Sequence, residues 1–484
     1  METFDQGKSG GRVVRECARY LRGMCFWAAI STGWISTASG QPMTQAGTQE
    51  GLRRLDELVR QQDQLLQPAE TLLKPNTVIR DLAIPVETPC FPISRFDFDD
   101  QIPWYIWGLR HKLDRYVGQC LGKQGIQVLL TSLNDELIAQ GYSTSKISVP
   151  AQNLQSGVLS LHLSIGRVSK ICMVQGTEED ASWGTYKNAF PVTAGDVLNV
   201  HSLEQGVEQM KRLPSQNIST RIEPGDEPGS SVVLIERPVV TWRDRVRGGL
   251  TLDNSGSAIL GRTQLSGYMQ LDNPAGLNDL LTLSGSSNLI EPNPSHRSQS
   301  LSLSYSVPWG YSLLSLTYSH ARFAQNVQGT TVTFLSSGES DTASARLQRT
   351  LWRSSAWKFS VYAQASFRQS SSFLNDVELV VQRQRTANLE LGATYKHLIG
   401  AATVEAELGY RRGKPWWHAQ QDLTVTDPTA PTVRPHLWMF NASVNTPLGG
   451  AGSGSSPWSY SAALRVQQTR DKTLSIDQIG IGTS

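Results

Sequence analysis

The sequence predicts two small α+β modules followed by an antiparallel transmembrane β-barrel, on three observations. From about Arg243 to Gln468, apolar and polar residues alternate in segments of roughly ten residues. The clearest segment sets Trp357, Phe359, Val361, Ala363, Ala365 and Phe367 against Lys358, Ser360, Tyr362, Gln364, Ser366 and Arg368. A period of two places these sets on opposite faces of a strand, one apolar and one wet. The connections also alternate: 272–279, 308–311, 354–356, 398–401 and 448–456 are short, whereas 290–298, 322–341, 369–382 and 411–435 are long. Short turns on one rim and long loops on the other are the outer-membrane arrangement, with a soluble β-sandwich as the alternative. Ahead of this region, the order strand, helix, helix, strand, strand occurs twice, in roughly 75 residues each.

A chain of 484 residues is expected to hold several domains. Its mean hydropathy of -0.29, and the lack of an apolar run near the roughly 18 residues of a spanning helix, argue against an α-helical membrane protein. They leave a barrel open, because strands hide apolar residues by alternation. A formal charge of +2 gives no bulk electrostatic case for nucleic acid.

Residues 1–40 read as an export signal. Arg12, Arg15, Arg19 and Arg22 precede the apolar stretch Met24 to Ile35, and Ala38-Ser39-Gly40 offers a cleavage site before Gln41. A short amphipathic helix is the alternative. Cys25 has the wrong flanks for a lipid-modified cysteine. In residues 41–70, Leu52, Leu55, Leu58, Val59, Leu65 and Leu66 recur at helical spacing and predict an amphipathic helix over 47–66. It is either a docking element or a spacer. Residues 71–88, with Pro75 and Pro85, read as an extended linker.

The first module, 89–166, is expected to hold helices at Pro103–Val117 and Gly125–Gln140 and strands at Tyr142–Val149 and Gly157–Ile165. The second, 167–239, is expected to hold strands at Ser169–Val174, Ile218–Glu223 and Ser231–Glu236. Its helix is placed at Ser202–Arg212, with a further helical turn at Ser182–Asn188. Past the signal, Cys90, Cys120 and Cys172 remain. In an oxidising periplasm, a Cys90–Cys120 disulfide would close a loop of roughly 30 residues and contribute about 3–4 kcal/mol. A free buried pair is the alternative. Cys172, within Ile171-Cys172-Met173-Val174, reads as a buried strand thiol.

The signals for chemistry are weak. The eight histidines are scattered, none at metal-ligand spacing, and no Cys-x-x-Cys occurs. Gly449-Gly450-Ala451-Gly452-Ser453-Gly454 lacks the ending of a phosphate loop and reads as a flexible turn. Glu390, Glu405, Glu407, Arg346, Arg368 and Arg465 fall on the polar strand faces and are expected to line a wet lumen. No catalytic residue, metal site or cofactor is expected, and the chain does not read as an enzyme.

Several long ordered stretches resemble one family. In the first module these are PCFPI, GQCLGKQGIQVLL, LIAQGYSTSKISVPAQNLQSGVLSLHL and IGRV. In the second they are AFPVTAGDVLNVHSLEQGVEQMKRLP and IEPGDEPGSSVVLIERP, followed by LDNSGSAILGRTQLSGYMQLDNPAGLNDLL at the start of the barrel region. From about Pro89 to the last residue, the chain resembles the outer-membrane transporters of two-partner secretion, the hemolysin secretion/activation proteins. The resemblance implies that the modules are periplasmic polypeptide-transport-associated (POTRA) domains that capture an unfolded exoprotein by its amino-terminal secretion domain. It implies passage of that client through the barrel to the cell surface without nucleotide hydrolysis. The other partners it implies are outer-membrane lipid and the barrel-assembly machinery.

An extended client can add to an exposed sheet edge. The expected edge in the second module is Ile218, Ser219, Thr220, Arg221 and Ile222, flanked by Leu203 and Gln209 of the helix. The helix bearing Leu52, Leu55, Leu58 and Val59 resembles the family's plug helix. A barrel-assembly insertase and a non-translocating surface adhesin or receptor are the other readings. Paired modules and a plug-like helix argue against the insertase.

The alternation yields about eleven strands: 244–254, 260–271, 279–289, 298–307, 311–321, 341–352, 357–368, 384–397, 401–410, 436–446 and 457–468. Thr331–Leu335 is then assigned to a long loop. The resemblance implies about sixteen strands. An open set leaves unpaired edges in lipid, so the sequence as written reads as C-terminally truncated at a long extracellular loop and is not expected to close or transport.

Overall fold

The computed structural model describes residues 84–98, 108–175, 185–254, 256, 260–288, 295–329, 331–422, 430–447, 458–474 and 477–478. The expected signal, the plug-like helix with Leu52, Leu55, Leu58 and Val59, most of the linker and the turn at 448–456 lie outside these residues.

The first module comprises β1 (Phe91–Pro92), β2 (Arg95–Phe98), α1 (Gly108–Leu113), β3 (Cys120–Leu121), α2 (Lys123–Ala139), β4 (Lys146–Ser148) and β5 (Val158–Ser164). Its main sheet has the order β2-β5-β4, with β2 parallel and β4 antiparallel to β5. Leu129, Leu133 and Leu137 recur every four residues along α2, so they share one face. Together with Leu159, Leu161 and Leu163 of β5 they form a fully enclosed core. The first helix, whose expected residues 103–107 lie outside the described ones, ends earlier than expected: α1 gives way to a 3₁₀ turn at Asp114–Tyr116, and Val117 is extended.

A disulfide joins Cys90 to Cys120, beside the β1–β3 pair in which Pro92 faces Cys120. It closes a 30-residue separation, and Cys120→Ser is expected to cost the module about 3–4 kcal/mol. Hydrogen exchange over residues 89–166 of the intact chain measures this. Unchanged protection would remove the disulfide from the module's stability.

Helix α2 begins at Gly122, which has no side chain to cap it. Glu87 does so from outside: its carboxylate accepts from the Gly125 N–H at 2.6 Å and the Gln124 N–H at 3.0 Å. A helix N-terminus favours an anion in this position. The hydrogen bonds from Gly125 and Gln124 hold the Glu87 carboxyl below its usual range. The cap's contribution is therefore present above the unfolded carboxylate range and is lost as pH falls through the lowered folded value. Amide protection at Gln124 and Gly125, corrected for intrinsic rates, should fall on acidification. Equal protection in Glu87→Gln and wild type at neutral pH would contradict this.

The second module repeats the topology with β6 (Arg167–Gln175), α3 (Val200–Lys211), β7 (Ser219–Pro224) and β8 (Ser230–Arg237), in the order β6-β8-β7. Again the first strand is parallel and the penultimate antiparallel to the last. Asn199 caps α3 by accepting from the His201 N–H at 2.8 Å. Val168, Phe190, Leu198, Leu203, Met210, Ile218, Val233 and Ile235 are its core. Two expectations are corrected. Residues 185–188 form a bend and turn rather than a helix, because Asn188 is drawn into side-chain bonds described below. Cys172 is half-buried, since alternation sends it to the opposite face from Ile171 and Met173.

After it come β9 (Val246–Asp253), β10 (Gln264–Asp272), β11 (Leu280–Asn288), β12 (Arg297–Trp309), β13 (Ser312–Gln328), β14 (Thr333–Arg353), β15 (Trp357–Leu374), the two-residue β16 (Val377–Glu378), β17 (Gln384–Ile399), β18 (Ala402–Lys414), β19 (His436–Pro447) and β20 (Ser459–Gln468). They form one antiparallel 12-stranded sheet in sequence order, β16 lying on the end of β15. Among the described residues, β9 and β20 do not pair with each other.

The expected long loop at 322–341 is corrected. Strands β13 and β14 run on through it in register as far as Gln328↔Thr333, so Thr333–Leu335 are strand. Residues 369–374 likewise extend β15, and 411–414 extend β18.

Register separates the two faces. Leu283, Leu303, Tyr318, Ala343 and Phe367 follow one another across five strands, and Leu303 and Tyr318 are exposed. Aromatic residues gather at both ends of this apolar face. Trp352–Phe359 and Trp357–Tyr395 pair at the short-turn rim, and Tyr410–Trp438 and Phe367–Trp417 at the long-loop rim. Such paired girdles mark the two interfaces of a lipid-facing band. Among the described residues, no helix is long and apolar enough to cross a membrane.

Candidate functional site

Three features make up the site: an open sheet edge on the second module, a docking surface holding that module to the barrel, and the wet face of the barrel wall. Among the described residues, strand β7 bonds only to β8, which leaves its other side as a sheet edge. Ser219, Arg221 and Ile222 are exposed there, and Thr220 is partly so. The edge carries charge: Arg221 Nη2 lies 2.7 Å from Glu236, to which Ser219 also donates at 3.0 Å. Charged side chains and the terminal Pro224 protect such an edge from pairing with another copy. Ile218, Leu203 and Gln209 lie elsewhere. Ile218 and Leu203 are in the core, at 1 % and 2 % exposure. The buried Gln209 donates to the Gly310 carbonyl of the barrel at 3.4 Å.

Three short turns of the barrel receive the second module. At the β10–β11 turn, Asn278 Nδ2 donates to Thr185 O at 2.5 Å and to Asn188 Oδ1 at 2.9 Å, and the Ser215 N–H donates to Asp272 at 2.9 Å. At the β12–β13 turn, Asn188 Nδ2 donates to Pro308 O at 3.1 Å, and Arg212 donates to Ser306 Oγ at 3.1 Å. At the β14–β15 turn, the Glu208 carboxylate sits between Arg353 and Lys358, with Lys358 Nζ at 2.7 Å. Arg353 also donates to Gln205 at 3.0 Å. Burial pushes the Glu208 carboxyl up, but Lys358 and Arg353 outweigh it and hold it below the usual carboxylate range. All three turns lie at the end of the sheet where the modules are, which makes that end periplasmic.

The sequence did not point to this surface. Glu208 and Arg353 are 145 residues apart, and although Glu208 stands within the family-like stretch 189–214, nothing in that stretch names its partner. The only signal was the recurrence of polar residues in short turns.

On the wet face, Glu390, Glu405, Glu407 and Arg346 of the expected lumen residues come together in ion pairs, whereas Arg368 donates to Thr342 Oγ1 at 3.4 Å and Arg465 is exposed. Tyr362 donates to Glu390 Oε1 at 2.8 Å, and Arg411 donates to Glu390 Oε2 at 2.9 Å. Arg346 stacks over the Tyr362 ring at 3.6 Å and lies 3.4 Å from Glu407; Lys396 pairs with Glu405 at 2.8 Å. Gly392 faces Gly409 across β17 and β18, and the Tyr362 ring fills the space they leave. A Cβ at Gly392 would lie 2.5 Å from Tyr362 Cζ. The three carboxylates are each matched by a cation, and no metal cluster occurs among the described residues.

Two α+β modules docked on the periplasmic turns of a strand sheet, with an apolar outer face, define an outer-membrane β-barrel protein with periplasmic modules. Residues 229–484, more than half of the chain, match the family described as haemolysin secretion/activation protein ShlB/FhaC/HecB. Residues 91–166 match the ShlB-type POTRA domain and 170–224 a POTRA domain. The chain belongs to the ShlB/FhaC/HecB family and lies in the outer membrane, its POTRA modules in the periplasm.

Among curated relatives, it is 32 % identical over 417 residues to the outer membrane transporter CdiB-2 of Burkholderia pseudomallei, covering 83 % of this chain and 69 % of that one. It is 31 % identical to CdiB of Dickeya dadantii, covering 75 % of this chain and 63 % of that one. The hemolysin transporter protein ShlB of Serratia marcescens is 26 % identical, over 69 % of this chain and 58 % of its own length. The solved structure of CdiB from Escherichia coli is similar at a TM-score of 0.73 and 26 % identity, covering 93 % of this chain and 80 % of that chain.

Proposed function

We propose that the protein serves two-partner secretion: it takes a large exoprotein of the hemolysin, hemagglutinin or adhesin type from the periplasm and delivers it to the cell surface through the barrel. The observation that carries this reading is the open β7 edge on a module docked to the periplasmic turns. An extended client adding to that edge satisfies its backbone groups with little desolvation. Ser219–Ile222 form the capture strand, and the paired charges of the lumen give the moving chain a wet wall without a strong net field. Capture and passage are binding steps, biased by folding of the exoprotein outside, with no nucleotide and no catalysis. The relatives' names, outer membrane transporter and hemolysin transporter protein, support it. The helix at 47–66 is assigned to the pore at rest.

Deleting the gene should strand one large exoprotein in the periplasm while other outer-membrane proteins assemble normally. A general loss of outer-membrane barrels on deletion would instead favour an insertase.

A further inference from the structure

At the extracellular end of the sheet, residues around the ends of β18, β19 and β20 enclose an open cleft of about 700 Å³. Its lining carries five permanent cations, Arg412, Lys414, Arg434, Arg470 and Lys472, against two carboxylates. The net charge is +3 with His436 neutral. Both carboxylates are already engaged by the wall. Asp471 accepts from the His436 N–H at 2.7 Å and contacts His436 Nδ1 at 3.0 Å, and Asp422 accepts from Thr432 Oγ1 at 2.5 Å. No carboxylate among the described residues forms an ion pair with Arg412, Arg434 or Arg470, and the buried Nε of Arg434 has no hydrogen-bond partner among them.

Position identifies the ligand. By register, Arg412 faces His436 and Tyr410 faces Trp438, all on the apolar outer face of the sheet. The Tyr410 and Trp438 rings, 4.8 Å apart, belong to the long-loop aromatic girdle, which sits at the headgroup boundary of the outer leaflet. The cleft lies directly beyond it. A cation facing lipid is costly at the midplane and tolerated near an interface, so this rim is where the outer face accommodates such a cluster. Clustered cations bind phosphate oxygens through charge-assisted hydrogen bonds.

We propose that this cleft binds the phosphate groups of a phosphorylated outer-leaflet lipid, anchoring the long-loop rim of the β18–β20 wall to its headgroups.

Native mass spectrometry of the full chain in detergent tests this with three probes: diphosphorylated lipid A, lipid A stripped of both phosphates, and inorganic phosphate. The diphosphorylated lipid should bind at least about tenfold more tightly than either of the others. The triple variant Arg434→Gln, Arg470→Gln, Lys472→Gln should lose about tenfold in that affinity. The charge-conserving triple Arg434→Lys, Arg470→Lys, Lys472→Arg should retain it, as should the remote triple Arg110→Gln, Lys123→Gln, Lys146→Gln in the first module. Equal binding of stripped lipid or of inorganic phosphate would overturn the proposal. So would an unchanged affinity in the first triple, or an equal loss in all three.

Discussion

Replacing Glu208 by leucine should loosen the second POTRA module on the barrel. The substitution takes their shared anion from Arg353 and Lys358, at side-chain exposures of 4 % and 5 %, and leaves Arg353 with Glu204 at 3.8 Å. Breaking a buried ion pair from one side costs about 3–5 kcal/mol, because the remaining charge stays desolvated. The hydrogen bonds at the other two turns, each worth about 0.5–1.5 kcal/mol, remain and oppose release, so the module is expected to open more often rather than stay detached. Protease sensitivity of the segment 238–245 should rise sharply in Glu208→Leu. It should fall back in the triple Glu208→Leu, Arg353→Met, Lys358→Met, which also removes the two buried cations. Equal cleavage of wild type and Glu208→Leu would show that the other turns suffice. Because the Glu208 carboxyl is held low, this lock is complete above the unfolded carboxylate range and weakens only as pH falls through its depressed value.

The second large effect is expected at the capture strand. Successive residues of an edge strand send their N–H groups alternately toward the neighbour and toward open solvent. Of Thr220→Pro and Arg221→Pro, one therefore removes a bond to β8 and destabilises the module. The other removes a donor from the free edge and leaves the module folded. The variant that keeps wild-type melting is the informative one, and it should weaken binding of the partner's amino-terminal secretion domain at least about tenfold. Wild-type affinity in that folded variant would move the capture site off β7.

Much of this architecture was legible because lipid on one side and water on the other force an alternation the eye can follow. Trp357 to Arg368 reads as a strand with its faces already assigned, and the described β15 contains all of it. Legibility failed where that contrast fades. Past Ala321 and up to Asp341 both faces are largely polar, so strands standing beyond the bilayer looked like a loop although they pair residue for residue.

The module edge was legible from an apolar–polar stretch following a helix. Gln209 turns to the barrel at Gly310, and Leu203 was misplaced for a plain reason. Leu203 and Met210, seven residues apart, mark the buried stripe of α3, and a helix buries that stripe against its own sheet. The docking surface was not legible, since its partners are brought together only by the tertiary fold.

The central claim is that the second module receives a partner exoprotein on β7. A photocrosslinking residue at Thr220, activated in cells while the partner is being exported, tests it most directly. The account predicts one adduct, containing the partner's amino-terminal secretion domain and absent when that domain is deleted. Adducts with unrelated outer-membrane barrel precursors, or none with the partner, would contradict it.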